Sequence, residues 1–387
     1  MSETKTTTGS NPPAAKADAY RVVVVDDSAI IRGLLTRTLQ TDPDITIVDS
    51  VSNGQLAVES VKKHDPDVMV LDIEMPVMDG LTALPKLIAA DPTLKVIMAS
   101  TLTLRNADIS LKALELGAAD YIPKPTSTGD IASGYDFKQE LIAKVKALGA
   151  ARRAVRPGKS TATVKRPGVS APPSAPGIYR GAAVKLREAP SASITPAVVA
   201  IGCSTGGPQA LFRLLPALGK DLRQPILITQ HMPATFTTIL AEHIQKLTGR
   251  PAAEAKDGEP VVGGKIYVAP GNFHMTVESS GAQRVIRLNQ NPPENFCRPA
   301  VDPMFRSLAQ AYGRNVLAVV LTGMGQDGLK GAQVLVQAGG TLIAQDEATS
   351  VVWGMPGAVA TGGLCSAVLA LDDIGPQVRK LAMRQAA

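Results

Sequence analysis

Two runs of alternating strand and helix patterns, separated by a segment of different composition, constrain the fold of this 387-residue chain. In residues 20–150, short apolar runs such as Val22–Val25 alternate with apolar residues at helical spacing. The same alternation resumes at Ala197 and continues into the C-terminal region. This pattern is typical of parallel sheets with helices on both faces. We therefore expect an α/β protein with two doubly wound parallel-sheet domains.

The segment between the two runs, residues 151–193, has six prolines, nine Lys or Arg residues and a single acid, Glu188. The formal net charge of +6 is therefore concentrated here, and it gives little support for nucleic-acid binding. Such a composition predicts a flexible linker. Residues 1–19 are polar and predict a disordered tail. The expected domains are therefore residues 20–150 and 194–387.

Composition also excludes several classes of protein. The three cysteines, Cys203, Cys297 and Cys365, lack CxxC spacing, which predicts reduced thiols and no zinc site. No run approaches the roughly 18 apolar residues that a membrane-spanning helix needs. Aromatic residues make up 3% of the chain, which argues against binding nucleic acid by stacking. We expect a cytoplasmic protein that neither inserts into a membrane nor binds nucleic acid.

In the first domain, polar residues follow the ends of four predicted strands: Asp26 and Asp27, Asp72, Ser100, and Lys124. The carboxyl ends of parallel strands meet at one edge of a sheet. Three carboxylates there repel one another unless a cation lies between them, and oxygen ligands favour Mg²⁺. A carboxylate beside the ion can attack a phosphoryl group, which a hydroxyl and an ammonium can hold. The alternative is that the acid pair only caps a helix.

The motifs VVVVDDSAIIR, VLDIEMPVMDG and YIPKP resemble the receiver domain of two-component response regulators. The resemblance implies a flavodoxin-like fold in which Asp72 is phosphorylated. It implies that Mg²⁺ is bound by Asp26, Asp27, Asp72 and the main-chain carbonyl of Glu74. It also implies that Ser100 and Lys124 contact the phosphoryl group.

In the second domain, Ser204 lies in VAIGCSTGGPQAL, between an apolar run and a helical pattern. The string Gly202-Cys-Ser-Thr-Gly206 fits G-x-S-x-G, a turn that exposes a serine nucleophile. A glycine-rich turn can instead bind phosphate. However, no lysine follows the glycines as in a P-loop, and Ser204 occupies the second glycine position of the dinucleotide fingerprint.

A serine nucleophile needs a base and an orienting carboxylate. His231 directly follows a predicted strand, whereas His243 fits an exposed helix face and His274 a turn. Asp327, in LTGMGQDG, follows another strand. Each residue also has a structural interpretation: a strand-end histidine for His231 and a helix cap for Asp327. Their joint position at strand ends favours a catalytic site.

The motifs IGCSTGG, TQHMP, VAPGNFHM, RPAVDPMF and LTGMGQDG are similar to those of the protein-glutamate methylesterase of bacterial chemotaxis. The resemblance implies a Rossmann-like catalytic domain with no cofactor and a triad of Ser204, His231 and Asp327. The backbone amides of Thr205 and Met324 are candidates for the oxyanion hole.

The implied activity is hydrolysis of glutamyl methyl esters on chemoreceptors, with release of methanol, and deamidation of specific glutamines. The implied regulator is phosphorylation by the chemotaxis histidine kinase, and we expect a monomer. Receivers are also fused to DNA-binding domains, but the second domain shows no compact helix-turn-helix pattern. A catalytically inactive interaction module on the same fold stays open.

Overall fold

The computed structural model describes residues 16, 18–101, 103–124, 135–155, 179, 181–188 and 195–383. The described residues of 1–99 and 125–156 form one compact unit, and those of 100–124 and 157–387 form the second. Most of the predicted tail and most of the predicted linker lie outside the described residues. None of the described helices combines the length and apolar character that a bilayer crossing requires.

The first sheet has five strands in the order β2-β1-β3-β4-β5. The pairs β1–β2, β1–β3 and β3–β4 are parallel. Its strands are β1 Tyr20–Val25, β2 Ile45–Val51, β3 Val68–Asp72, β4 Lys95–Ser100 and β5 Asp120–Pro123. The helices are α1 Ala29–Leu39, α2 Gly54–His64, α3 Gly80–Ala90, α4 Leu104–Glu115 and α5 Tyr135–Val155.

The apolar runs of β1 and β3 explain why these two strands lie in the interior of the sheet. Val22, Val25, Val68 and Leu71 are all fully buried, as expected for strands covered on both faces. Strand order reverses between β1 and β3, and in open α/β sheets ligands bind outside the carboxyl ends of the strands at such a point. Both strands carry acidic residues at that end. The predicted fold class is therefore confirmed for this part of the chain.

Helix α5 extends beyond residue 150, the predicted end of the first domain, and continues to Val155. Within it Arg152 is 1% exposed, and its guanidinium donates to Asp65 at 2.8 Å, Asp67 at 3.1 Å and Asp91 at 2.5 Å. A buried cation is stable only when carboxylates of this kind compensate for its lost hydration. Residues 151–155 are thus part of the first unit and not of a linker.

The second sheet has seven strands, all paired in parallel, in the order β14-β13-β12-β6-β7-β9-β8. The strands are β6 Val198–Cys203, β7 Ile226–Gln230, β8 Ala252–Glu254, β9 Ile266–Val268, β12 Val316–Val320, β13 Thr341–Gln345 and β14 Ala367–Leu369. Without the edge strand β8, this is the order of a Rossmann sheet. The order reverses between β6 and β12.

Helices connect these strands: α6 Gly207–Ala217, α7 Ala234–Thr248, α8 Val301–Tyr312, α9 Leu329–Gln337, α10 Met355–Thr361 and α11 Leu371–Ala382. Strand β11 spans Gln283–Asn289. It pairs antiparallel with β10 His274–Ser280 in a separate two-stranded sheet. Strands β8 and β10 are short or rich in polar residues, so sequence periodicity does not reveal them.

Arg152→Ala should destabilise the first unit by roughly 3–5 kcal/mol, because it leaves buried carboxylates without their cation. Denaturant titration of the full chain, which yields the free energy of unfolding of the first unit, checks this. Lys63→Ala, an exposed substitution on α2, is the matched control. Equal stability of the two variants would contradict the assignment of Arg152 to the folded unit.

Candidate active site

Ser204 lies immediately after β6, in a turn that leads into α6. Its amide donates to the Thr322 carbonyl at 3.0 Å, and its carbonyl accepts from the Gly207 amide at 2.7 Å and from Gln230 Nε2 at 3.0 Å. The backbone of Ser204 is therefore held on both sides. Its hydroxyl makes no hydrogen bond to another described residue, so the oxygen is available to a substrate.

The segment after β12 approaches this serine closely. A Cβ atom added to Gly323 would lie 2.9 Å from Ser204 Cβ, so only glycine fits there. Neither the Thr205 amide nor the Met324 amide donates a hydrogen bond within the described part of the chain. Amides that are near a nucleophile and have no partner can bind a developing oxyanion.

His231 follows β7, the strand beside β6. Cys203 pairs with Gln230 in the strand register, and the His231 amide donates to the Cys203 carbonyl at 3.2 Å. Ser204 and His231 thus directly follow two adjacent strands. Adjacent strands of a sheet lie about 4.8 Å apart. Cys203 itself is fully buried, and burial raises the pKa of its thiol.

The imidazole of His231 is held between two residues. Its Nε2 is 2.8 Å from Asp327 Oδ2, and its Nδ1 is 3.3 Å from Cys297 Sγ. Burial lowers the pKa of His231, but the charges and hydrogen bonds of Cys297 and Asp327 outweigh it and raise this pKa to about 10. The structure therefore joins two of the three predicted triad residues, and the imidazole makes no hydrogen bond to the Ser204 hydroxyl.

Asp327 is 1% exposed and lies where the chain enters α9. Its carboxylate accepts from the amides of Val301 at 2.6 Å, Asp302 at 3.1 Å and Gly328 at 2.9 Å. The first two belong to the N-terminal turn of α8, whose amides and dipole favour a negative charge. Burial raises the pKa of Asp327, but the bonds to His231 and to these amides outweigh it and lower the pKa.

A tight turn, Glu294–Cys297, lies against these two residues; we call it the 294–297 turn. Asn295 Nδ2 donates to Asp327 Oδ1 at 2.9 Å and to Asp302 Oδ2 at 3.1 Å. Cys297 supplies the sulfur beside His231. Burial, followed by the charge of Asp327, raises the pKa of Asp302 to about 6.

Sequence reasoning missed Asn295, Cys297 and Asp302 as residues of this site. Asn295 lies between Glu294 and Phe296 in a Pro-containing loop, and Asp302 resembles an ordinary helix-start acid. Cys297 was grouped with the reduced thiols. Only the path of the chain from β11 into α8 brings their side chains to His231 and Asp327. The two other histidines considered are elsewhere: His243 on α7, and His274, which is 1% exposed and bonds to Ala300 and Pro292.

In the first unit, Asp26, Asp27 and Asp72 come together at the ends of β1 and β3. One carboxylate oxygen from each lies within 4.8 Å of the others, an arrangement that could hold a metal ion. Asp26 and Asp72 are buried and Asp27 is exposed, so the group is open to solvent on one side. This donor set of hard oxygens fits Mg²⁺, which retains water ligands.

The remaining residues of the predicted phosphorylation site also lie at strand ends or in the loop after β3. Ser100 ends β4 and is 2% exposed, with its Oγ 3.0 Å from Ser110 Oγ. The Lys124 amide donates to the Ser100 carbonyl at 2.7 Å, directly after β5. Glu74 is exposed two residues after Asp72. Asp79 caps α3 by accepting from the Thr82 amide.

Comparison with known proteins identifies both parts of the chain. The family described as CheB methylesterase matches residues 199–378, and the response regulator receiver domain family matches residues 22–135. A protein-glutamate methylesterase/protein-glutamine glutaminase of Paramagnetospirillum magneticum is 59% identical over 378 residues, covering 96% of this chain and 99% of the relative. The chain belongs to the protein-glutamate methylesterase/protein-glutamine glutaminase family.

Two further proteins are similar to this chain. A protein of the same description from Azospirillum brasilense is 61% identical over 378 residues, covering 96% of this chain and 95% of the relative. The solved structure of the Thermotoga maritima CheB methylesterase catalytic domain is 39% identical, with a TM-score of 0.47. It covers 49% of this chain and 100% of that one.

Cys297→Ala should lower the pKa of His231, because it removes one of the groups that stabilise the imidazolium. The imidazole then loses its proton at a lower pH than in the unmodified protein. Titration by NMR of the imidazole carbon-bound protons checks this, since the chain has only four histidines and His231→Gln assigns the signal. Cys365→Ala, a buried cysteine outside the site, should leave the midpoint in place. An unshifted midpoint in Cys297→Ala would contradict the contact.

Proposed function

We propose that this chain removes methyl groups from glutamyl methyl esters on chemoreceptors, with Ser204 as nucleophile, His231 as general base and Asp327 as the orienting carboxylate. Membership of the methylesterase family supports the reaction. The observation that carries the residue roles is the hydrogen bond between His231 Nε2 and Asp327 Oδ2 at the strand end beside Ser204. Deamidation of glutamine, the other activity in the relatives' names, requires the same acyl transfer to water.

The reaction begins from the neutral imidazole of His231, a form whose share rises with pH because the pKa of this group is raised to about 10. Ser204 Oγ bonds to the ester carbonyl carbon and its proton passes to this neutral imidazole. Asp327 occupies Nε2, so Nδ1 is the nitrogen left to accept this proton. Because Nδ1 faces Cys297 in the structure, the bound substrate must bring the serine hydroxyl to that nitrogen. The backbone amides of Thr205 and Met324 stabilise the oxyanion.

The tetrahedral intermediate then collapses with cleavage of the bond from carbonyl carbon to methoxy oxygen. The leaving oxygen takes the proton from His231 and departs as methanol. Water next attacks the acyl-enzyme, giving its proton to the imidazole, and the serine oxygen is released with that proton. For a glutamine substrate the leaving group is ammonia, and the product is again glutamate.

The receiver domain makes the activity dependent on phosphorylation of Asp72. The phosphodonor is the chemotaxis histidine kinase, which agrees with the family of the N-terminal residues. Asp26, Asp27, Asp72 and the carbonyl of Glu74 would hold Mg²⁺, which supplies positive charge for the phosphoryl oxygens. Ser100 and Lys124 hold the same oxygens by hydrogen bonding and charge. The protein acts in the cytoplasm as a monomer, needs no cofactor in its catalytic domain and binds no nucleic acid.

Ser204→Ala should lower methanol release from methylated receptor membranes by more than about 1,000-fold, because it removes the nucleophile. The variant should keep the unfolding free energy of the parent. Ser280→Ala, at an exposed position at the end of β10, is the control and should retain full activity. Substantial methanol release from Ser204→Ala would contradict the assignment.

Asp72→Asn should abolish the stimulation of methanol release by acetyl phosphate, because the amide cannot accept a phosphoryl group. Rates with and without the phosphodonor, measured with Mg²⁺ present, check this. Glu59→Gln, an exposed acid on α2, should remain stimulated like the parent. Normal stimulation of Asp72→Asn would overturn the proposed phosphorylation site.

A further inference from the structure

We propose that Phe296 is a specificity-determining residue of this esterase. Its ring contacts an apolar side chain that the substrate protein carries beside the reacting glutamyl residue. This inference rests on the proposed function and names the part of the substrate that the rim of the site recognises.

The 294–297 turn has a geometry that fixes the direction of Phe296. The Glu294 amide donates to the Cys297 carbonyl at 3.1 Å, and the Cys297 amide donates to the Glu294 carbonyl at 2.9 Å. The two central residues have positive φ angles, 51° at Asn295 and 63° at Phe296. This is the φ pattern of a type I′ turn. Arg306 Nη1 also binds Glu294 Oε2 at 3.0 Å, which ties the turn to α8.

Both neighbours of Phe296 contact residues of the proposed triad. Asn295 donates to Asp327, and Cys297 lies against the His231 imidazole. Consecutive Cα atoms are about 3.8 Å apart, so Phe296 is fixed at the rim of the site. A receptor segment whose ester is bound at Ser204 can therefore reach this ring.

The ring of Phe296 has no role within the fold. Its relative exposure is 103%, so it contributes nothing to the core. A bulky side chain at a positive φ is also strained, and glycine or asparagine would adopt this conformation more readily. An outlier of this kind beside a reaction centre points to a role in function.

A protein substrate provides the partner that this ring lacks. A glutamyl side chain is short, so the main chain that carries it comes near the rim when the ester reaches Ser204. Pro292 and Pro293 are exposed in the same loop and extend its apolar character. An exposed ring flanked by prolines gains most free energy by excluding water against apolar groups, and less from a cation over its face. We therefore assign it an apolar side chain of the receptor segment and not a charged one.

Phe296→Asn is the variant that tests this proposal, because asparagine keeps the positive φ and removes the ring. With methylated receptor membranes as substrate, the KM for methanol release should rise about tenfold or more while kcat stays within about twofold. Phe296→Tyr should retain the parent KM, since it keeps the ring. Val262→Ala, an apolar side chain of 48% exposure before the amino end of β9, should leave both constants unchanged.

A KM for Phe296→Asn within twofold of the parent would overturn the proposal. So would an equal loss in Phe296→Tyr, which would assign the effect to the turn, or a loss in kcat alone. If the parent protein released no methanol, the proposed function would fail first. That outcome is distinct from a parent that is active and a Phe296→Asn variant that matches it.

Discussion

The Asp327 carboxylate is almost completely removed from water, and the surrounding chain is arranged to keep it charged. Within the described residues it accepts five hydrogen bonds, from His231, Asn295 and the amides of Val301, Asp302 and Gly328. An isolated buried carboxylate would instead take up a proton. The N-terminus of α8 and the 294–297 turn therefore do more than connect strands, because without them the imidazole of His231 would lose its charged partner.

The positions of Ser204, His231 and Asp327 depend on the point in the second sheet where strand order reverses. The strands β6, β7 and β12 end at one edge, beside the point where strand order reverses. Ser204, His231 and Asp327 each follow one of those strands. Close approach is possible because Gly323 has no side chain to collide with Ser204. The first sheet uses the same principle, with Asp26, Asp27 and Asp72 at the ends of β1 and β3.

Much of this could be predicted from the sequence, because strand-end positions follow from periodicity. Alternation predicted both parallel sheets, and the motifs predicted the family, its enzyme class and its receiver. The roles of the predicted site residues stay predictions. Arg152 was missed because a basic residue in a Pro-rich, charged stretch resembles linker, and only Asp65, Asp67 and Asp91 reveal its burial. Asn295 and Cys297 were missed because a loop side chain's direction depends on a turn that periodicity does not encode.

The crossover from β9 to β12 is the longest connection in the second sheet, and it contains the β10–β11 hairpin, the 294–297 turn and α8. The three strand-end residues are outside it, and no strand of the parallel sheet is within it. Changes at exposed positions of this crossover therefore leave every parallel strand pair intact. The same crossover carries the exposed ring of Phe296 and the groups that hold Asp327 and His231. Its exposed positions can therefore diversify only where the 294–297 turn and the N-terminus of α8 are kept.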